Sequence, residues 1–119
     1  MKIPGPDHPI TITPNPKRVR VSLDGTVIAD TTHALTLKEA SYPAVQYVPR
    51  EDTKMDLLRR TERVAHCPYK GDATYFSIVS DGKVIENSIW TYETPFPAMV
   101  EISGRLAFYP DKVKIEEVN

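Results

Sequence analysis

Two Asp-Gly pairs, Asp24-Gly25 and Asp81-Gly82, each stand between short runs of alternating apolar residues, and they direct this chain toward antiparallel β structure. Asp-Gly supplies the successive positive-φ residues of a tight turn whose twist matches that of two paired strands. Before the first pair, Val19, Val21 and Leu23 share one strand face while Arg18, Arg20 and Ser22 share the other, and Thr26-Val27-Ile28-Ala29 returns after it. The second pair separates Thr74 to Val79 from Lys83 to Glu86 by the same device.

Four more segments read as strands: His33 to Lys38, Val45 to Val48, Arg105 to Tyr109, and Lys112 to Glu116, the last with Val113 and Ile115 on one face. Another strand is expected to end at Cys67. Helical signals are brief. Asp52 is placed to cap a turn through Met55, Leu57 and Leu58, and Phe96 to Ile102 follows Pro95. Seven or more short strands with so little helix predict a mainly β domain, built as two twisted antiparallel sheets or a partly open barrel.

Proline marks the organisation of the chain. Pro4, Pro6, Pro9, Pro14 and Pro16 precede the first periodic run, so residues 1–17 read as an extended arm and residues 18–117 as a single domain. Ile10 and Ile12 would share a face if the arm ran along a sheet edge or onto a second subunit, hence an expectation of a homodimer through the arm.

At 119 residues the chain is long enough to bury a core without a metal or disulfide staple. A formal charge of -1 gives no field that would draw nucleic acid or an anionic membrane. No apolar run approaches the ~20 residues of a membrane span, and Met1-Lys2-Ile3-Pro4-Gly5-Pro6 lacks the apolar core of a signal peptide, so the expected compartment is the cytoplasm. One cysteine can neither close an internal disulfide nor supply the paired thiolates of a structural zinc site, and no metal or cofactor is expected.

Four blocks, in order, carry a family resemblance: Val45-Gln46-Tyr47-Val48-Pro49-Arg50-Glu51-Asp52, Cys67-Pro68-Tyr69-Lys70-Gly71-Asp72-Ala73-Thr74-Tyr75, Ile89-Trp90-Thr91-Tyr92-Glu93-Thr94-Pro95 and Leu106-Ala107-Phe108-Tyr109-Pro110. Together they resemble domain-of-unknown-function family 427 over about residues 18 to 117. The resemblance implies a β-tent architecture, the two-sheet arrangement shared with a guanine-nucleotide-exchange chaperone family and with methionine sulfoxide reductase B. Relatives with that fold often carry zinc on paired Cys-x-x-Cys motifs, which this chain lacks, so no zinc role carries over. The family is sometimes labelled nucleotidyltransferase-like. Such chemistry needs acidic residues that hold divalent metal near a phosphate cradle, and the five glycines here are not clustered.

Three constellations are candidates for a site. In the first, Cys67 is either a small buried hydrophobe at a strand end or a nucleophile, and the second role needs a nearby cation or base to favour the thiolate. Lys70 is the local cation; His66, adjacent on an extended strand, points to the opposite face. In the second, Arg50 could grip a carboxylate or phosphate, and Asp52 or Glu39 could act as base or orient Lys70. The structural alternative makes Asp52 a cap and pairs Arg50 with Glu39. The third is aromatic: Tyr42, Tyr47, Tyr69, Tyr75, Trp90, Tyr92 and Tyr109. Tyr47, Tyr75 and Trp90 converging with Lys70 and Arg50 would make a concave ligand site, while Tyr92, three residues before Pro95, reads as a turn residue. His8 and His33 read as surface residues.

The resulting expectation is a small-metabolite binding module, or an enzyme of unassigned reaction, with Cys67, Asp52 and Lys70 as its reactive groups and Tyr47, Arg50, Tyr75 and Trp90 holding a small polar or anionic ligand. The alternative is a non-catalytic protein-interaction module that docks through the arm and edge strands. A nucleotidyltransferase comes third.

Overall fold

A computed structural model describes residues 1–118 of the chain. Among the described residues there are ten strands: β1 (Ile10–Pro14), β2 (Arg18–Leu23), β3 (Thr26–Thr31), β4 (Leu35–Glu39), β5 (Val45–Tyr47), β6 (Leu58–Cys67), β7 (Gly71–Ser80), β8 (Lys83–Thr91), β9 (Leu106–Phe108) and β10 (Lys114–Val118). All pairings are antiparallel. The helical content is three 3₁₀ segments, Arg50–Asp52, Met55–Leu57 and Pro97–Ile102. The domain is mainly β, as the alternation implies.

Both Asp-Gly turns form as the sequence requires. Asp24 and Gly25 have φ of 49° and 84°, Asp81 and Gly82 of 51° and 75°, and they close the β2–β3 and β7–β8 hairpins. The strands fall into three sheets, ordered β1-β4-β5, β10-β2-β3 and β6-β7-β8-β9, where the sequence had suggested two. Two of the three are joined edge to edge. Val48, just past β5, exchanges backbone hydrogen bonds of 2.8 and 2.9 Å with Leu106 of β9. β3 meets the loop after the first 3₁₀ turn through an Ala29–Thr53 bridge.

That bridge corrects the expected role of Asp52. The pairing pulls Thr53 into extended backbone and divides the segment into two turns, so the cap position of the second is Lys54, with no side-chain cap. Asp52 instead accepts a 2.7 Å hydrogen bond from the Thr31 hydroxyl.

The sheet around β7 is covered on both faces, which explains the nearly unbroken burial of that strand. Alternation sends Phe76 and Ile78 into an aliphatic core with Val21, Ile28, Val48, Ile89 and Leu106. It sends Ala73 and Tyr75 into a second core with Leu37, Tyr47, Tyr92, Met99 and Ile102. Ile28, Ile78, Ile89 and Leu106 are fully buried, and each contributes about 1.5–3 kcal/mol by leaving water. The arm lies on its own domain: β1 pairs with β4, and Ile10 and Ile12 pack against the second core.

Candidate functional site

The tyrosine-rich core does not close completely. It leaves a concavity of about 230 Å³, smaller than the ~300–1,000 Å³ of drug-sized sites. Leu37 and Val45 form part of an apolar wall, and the polar groups come from four places in the chain.

Tyr75 and Trp90 are directly opposed on β7 and β8, so the pleat turns both side chains to this face. Tyr47 ends β5; its ring meets Trp90 edge to face at 6.5 Å, and Trp90 Nε1 donates to its hydroxyl at 3.2 Å. Tyr109, just past β9, lies 4.6 Å from Trp90 at 49°. Tyr92 is buried and lines the same space, as does the exposed Tyr42. Its place in the sequence had suggested a turn residue for Tyr92; the register of β8 carries it inward instead.

Lys70 arrives by a turn. Between β6 and β7 the chain reverses through Pro68, Tyr69 and Lys70, and Gly71 takes a φ of 108°. A side chain there would be strained by that conformation and would touch the Thr94–Phe96 backbone at 3.5–3.7 Å. The Phe96 N–H holds the Lys70 carbonyl at 3.0 Å. So fixed, Lys70 is 7% exposed, and its Nζ donates to Glu39 Oε1 at 2.5 Å. Glu39 stands at the end of β4, and its other oxygen meets His8 Nε2 at 2.7 Å. The arm places His8 there: the Ala40 N–H bonds to the Pro9 carbonyl at 2.8 Å, and the His8 ring stacks on Tyr69 at 4.1 Å. His8 is therefore half-buried in an ion network, not the surface residue its proline-rich surroundings suggested.

Burial raises the Glu39 carboxyl pKa, but the hydrogen bonds from Lys70 and then His8 outweigh it and hold the group below its ordinary value. Burial raises the hydroxyl pKa of both Tyr47 and Tyr92. Tyr109 is pushed up to about 12, chiefly by burial and then by the Tyr75 hydroxyl. These phenols keep their protons at neutral pH, so the pocket offers hydrogen-bond donors beside a closed ion pair.

Of the residues singled out in the sequence, the fold gathers Tyr47, Lys70, Tyr75 and Trp90 around one space. Three others lie elsewhere. Arg50 pairs with Glu93 at 2.9 Å and with the Gly104 carbonyl at 2.6 Å, not with Glu39, because the loop after β8 passes beside it. Asp52 faces a shallow recess with Arg18, Asp30 and His33. Cys67 is half-buried at the end of β6 and packs against the tyrosine core without lining the pocket. Both basic residues near it in sequence have other partners: Lys70 holds Glu39, and His66 meets Asp72 at 2.7 Å. His8 was missed as a member of the site, since its approach to Glu39 depends on an arm folding back across 31 residues. Glu39 had been considered only as one of several acids.

With this geometry in place, comparison with known proteins is informative. A family model described as Domain of unknown function (DUF427) matches residues 11–119. The chain belongs to the DUF427 family. The match begins within β1, at Thr11. No curated protein matches the chain closely enough to lend it an activity. The model's short name carries a nucleotidyltransferase label. Among the described residues no group of three or more His, Cys, Asp or Glu side chains is placed to hold a metal ion.

Proposed function

We propose that this DUF427 domain is a binding module for a small polar ligand, seated in the tyrosine-lined pocket with the Glu39–Lys70 pair at its wall. The observation that carries this reading is the ion pair itself. Two side chains only 9% and 16% exposed have been taken largely out of water at a 2.5 Å contact. Desolvating both charges is expensive, and a well-packed apolar pair in the same place is often as stable or more so. A buried pair is therefore a poor device for holding a core together, and a good one for presenting oriented polar groups to an occupant. The hydroxyls of Tyr47, Tyr92 and Tyr109 beside it support the same reading. Cys67 has no part in it.

The chain has one tryptophan, and it lines the pocket, so its fluorescence reports occupancy directly. A panel of small metabolites is screened by Trp90 emission and by melting temperature, since a ligand that binds only the folded state stabilises it by RT ln(1 + [L]/Kd). Binders are expected to shift both signals in the native chain and in Cys67→Ser. A Tyr47→Phe, Lys70→Met double variant should lose them. Shifts that persist in the double variant, or a panel that moves neither signal at millimolar concentration, would overturn the reading.

A further inference from the structure

What borders the pocket bears on the kind of molecule it takes. Tyr109 lines both the pocket and a neighbouring recess of about 350 Å³, whose other walls include Arg63, Asn87 and Lys112. Tyr109 is thus shared between the pocket and the recess that Arg63 borders.

Arg63 lies on β6 in the stretch between Arg60 and Val64 where the register against β7 shifts. Its guanidinium sits over the Tyr75 ring, 4.8 Å from the ring centre, and its charge acts on the Tyr109 hydroxyl in opposition to burial. The chain has seven arginines. Arg18 and Arg20 bond to Asp30, Arg50 and Arg60 to Glu93, and Arg59 and Arg105 to backbone carbonyls. Among the described residues Arg63 alone has a guanidinium with no hydrogen-bond acceptor in the protein. Glu86 and Asp111 border the same recess, but neither forms an ion pair with it.

A guanidinium laid on an aromatic face is held in one orientation while its N–H groups stay free for an acceptor. Planar forks of this kind recognise carboxylate and phosphate oxygens in bidentate fashion. The Trp90 and Tyr109 rings pack on each other at 4.6 Å and together offer an aromatic surface to the pocket. We propose that the ligand is a small ring-bearing anion, its ring against Trp90 and Tyr109 and its carboxylate or phosphate received by Arg63. This rests on the pocket being a ligand site, as argued above, and adds the charge of the occupant and the residue that selects it.

Three probes separate the terms: benzoate and phenyl phosphate carry the anion, and benzamide is the neutral planar counterpart. Each is titrated against Trp90 fluorescence in the native chain, in Arg63→Gln and in Arg59→Gln, an exposed arginine of the same strand that serves as a charge-matched control. The native chain is expected to prefer an anion over benzamide by roughly tenfold or more, the scale of a hydrogen bond between charged groups. R63Q should erase that preference and leave benzamide binding unchanged, while R59Q should keep it. The stronger of the two anions identifies carboxylate or phosphate as the natural group. Benzamide binding with no anion preference, a preference that survives R63Q, or an equal loss in R59Q would overturn the inference and leave the pocket standing. Failure of all three probes to bind would overturn the inference, whereas the pocket itself stands or falls by the metabolite panel.

Discussion

Two glutamates in this domain are each gripped by a pair of basic side chains, and they have opposite surroundings. Glu93 is 36% exposed and held by Arg50 and Arg60 at 2.9 and 2.8 Å. Both guanidinium groups also stand over the Phe76 ring, at 5.5 and 4.9 Å, and Arg50 reaches on to the Gly104 carbonyl. That cluster ties the loop after β8 to β6 and to the first 3₁₀ turn, and every part of it has a structural use. Glu39, 16% exposed, is held by Lys70 and His8 and borders an open space. The electrostatics record the difference. Arg60 chiefly, then Arg50, bring Glu93 down to about 2, with burial only a partial counterweight. At Glu39 burial is the largest influence and opposes the two partners, so the group is lowered by a narrower balance. A clasp at the surface costs little desolvation; the same clasp drawn inside becomes costly, and its position calls for another explanation.

The sharpest way to break this contrast is to leave Glu39 without its main partner. Lys70→Met should lower the unfolding free energy by about 3 kcal/mol in urea denaturation, because a largely buried carboxylate loses its counter-charge. Adding Glu39→Gln should restore much of that loss. A Lys70→Met penalty no larger than that of an exposed pair would end the distinction between the two clusters.

Glu93→Gln should cost less, about 1 kcal/mol at neutral pH, since solvent screens a pair this exposed. Its pH dependence has a definite sign. A carboxyl lowered from 4.5 to about 2 in the folded state contributes stability that is fully present above the unfolded value and is lost as pH falls toward 2. The native chain and Glu93→Gln should therefore differ in melting temperature at pH 6 and converge only as pH falls below about 2. Curves that stay parallel across that range would remove Glu93 from the acid response.

The smallest expected effect comes from His8→Phe, which keeps a ring on Tyr69 and removes only the contact with Glu39. A loss of about 0.5 kcal/mol is expected, as for a partly exposed ion pair. A loss equal to that of Lys70→Met would make the arm, and not the β6–β7 turn, the main support of Glu39.

Much of the fold was legible because its causes are local. Asp24-Gly25 and Asp81-Gly82 specify their turns by backbone conformation alone, and the alternation of Val19, Val21 and Leu23 specifies a face. The third sheet and the Thr53 bridge were not legible, since pairing partners depend on how distant strands meet. The aromatic half of the site was visible as an excess of tyrosine, and the register that aligns Tyr75 with Trp90 follows from the second hairpin. The ionic half was not. Glu39 and Lys70 lie 31 residues apart, as do Glu39 and His8, and no spacing rule links them. Cys67 drew attention by being the single cysteine, a fact about composition that carries no information about which face it joins.

The reciprocal hydrogen bonds between Val48 and Leu106 have a consequence for how the molecule assembles. They are the seam between two sheets, and they connect residues far apart in the chain, so the loop they close is long and its entropy must be lost before either bond forms. Such closure comes late and slows folding, as in other topologies dominated by distant pairings. The same two bonds make the sheets open together, so the amides of Val48 and Leu106 should exchange with deuterium only when the whole domain unfolds. The pocket that spans the seam then inherits the stability of the entire fold.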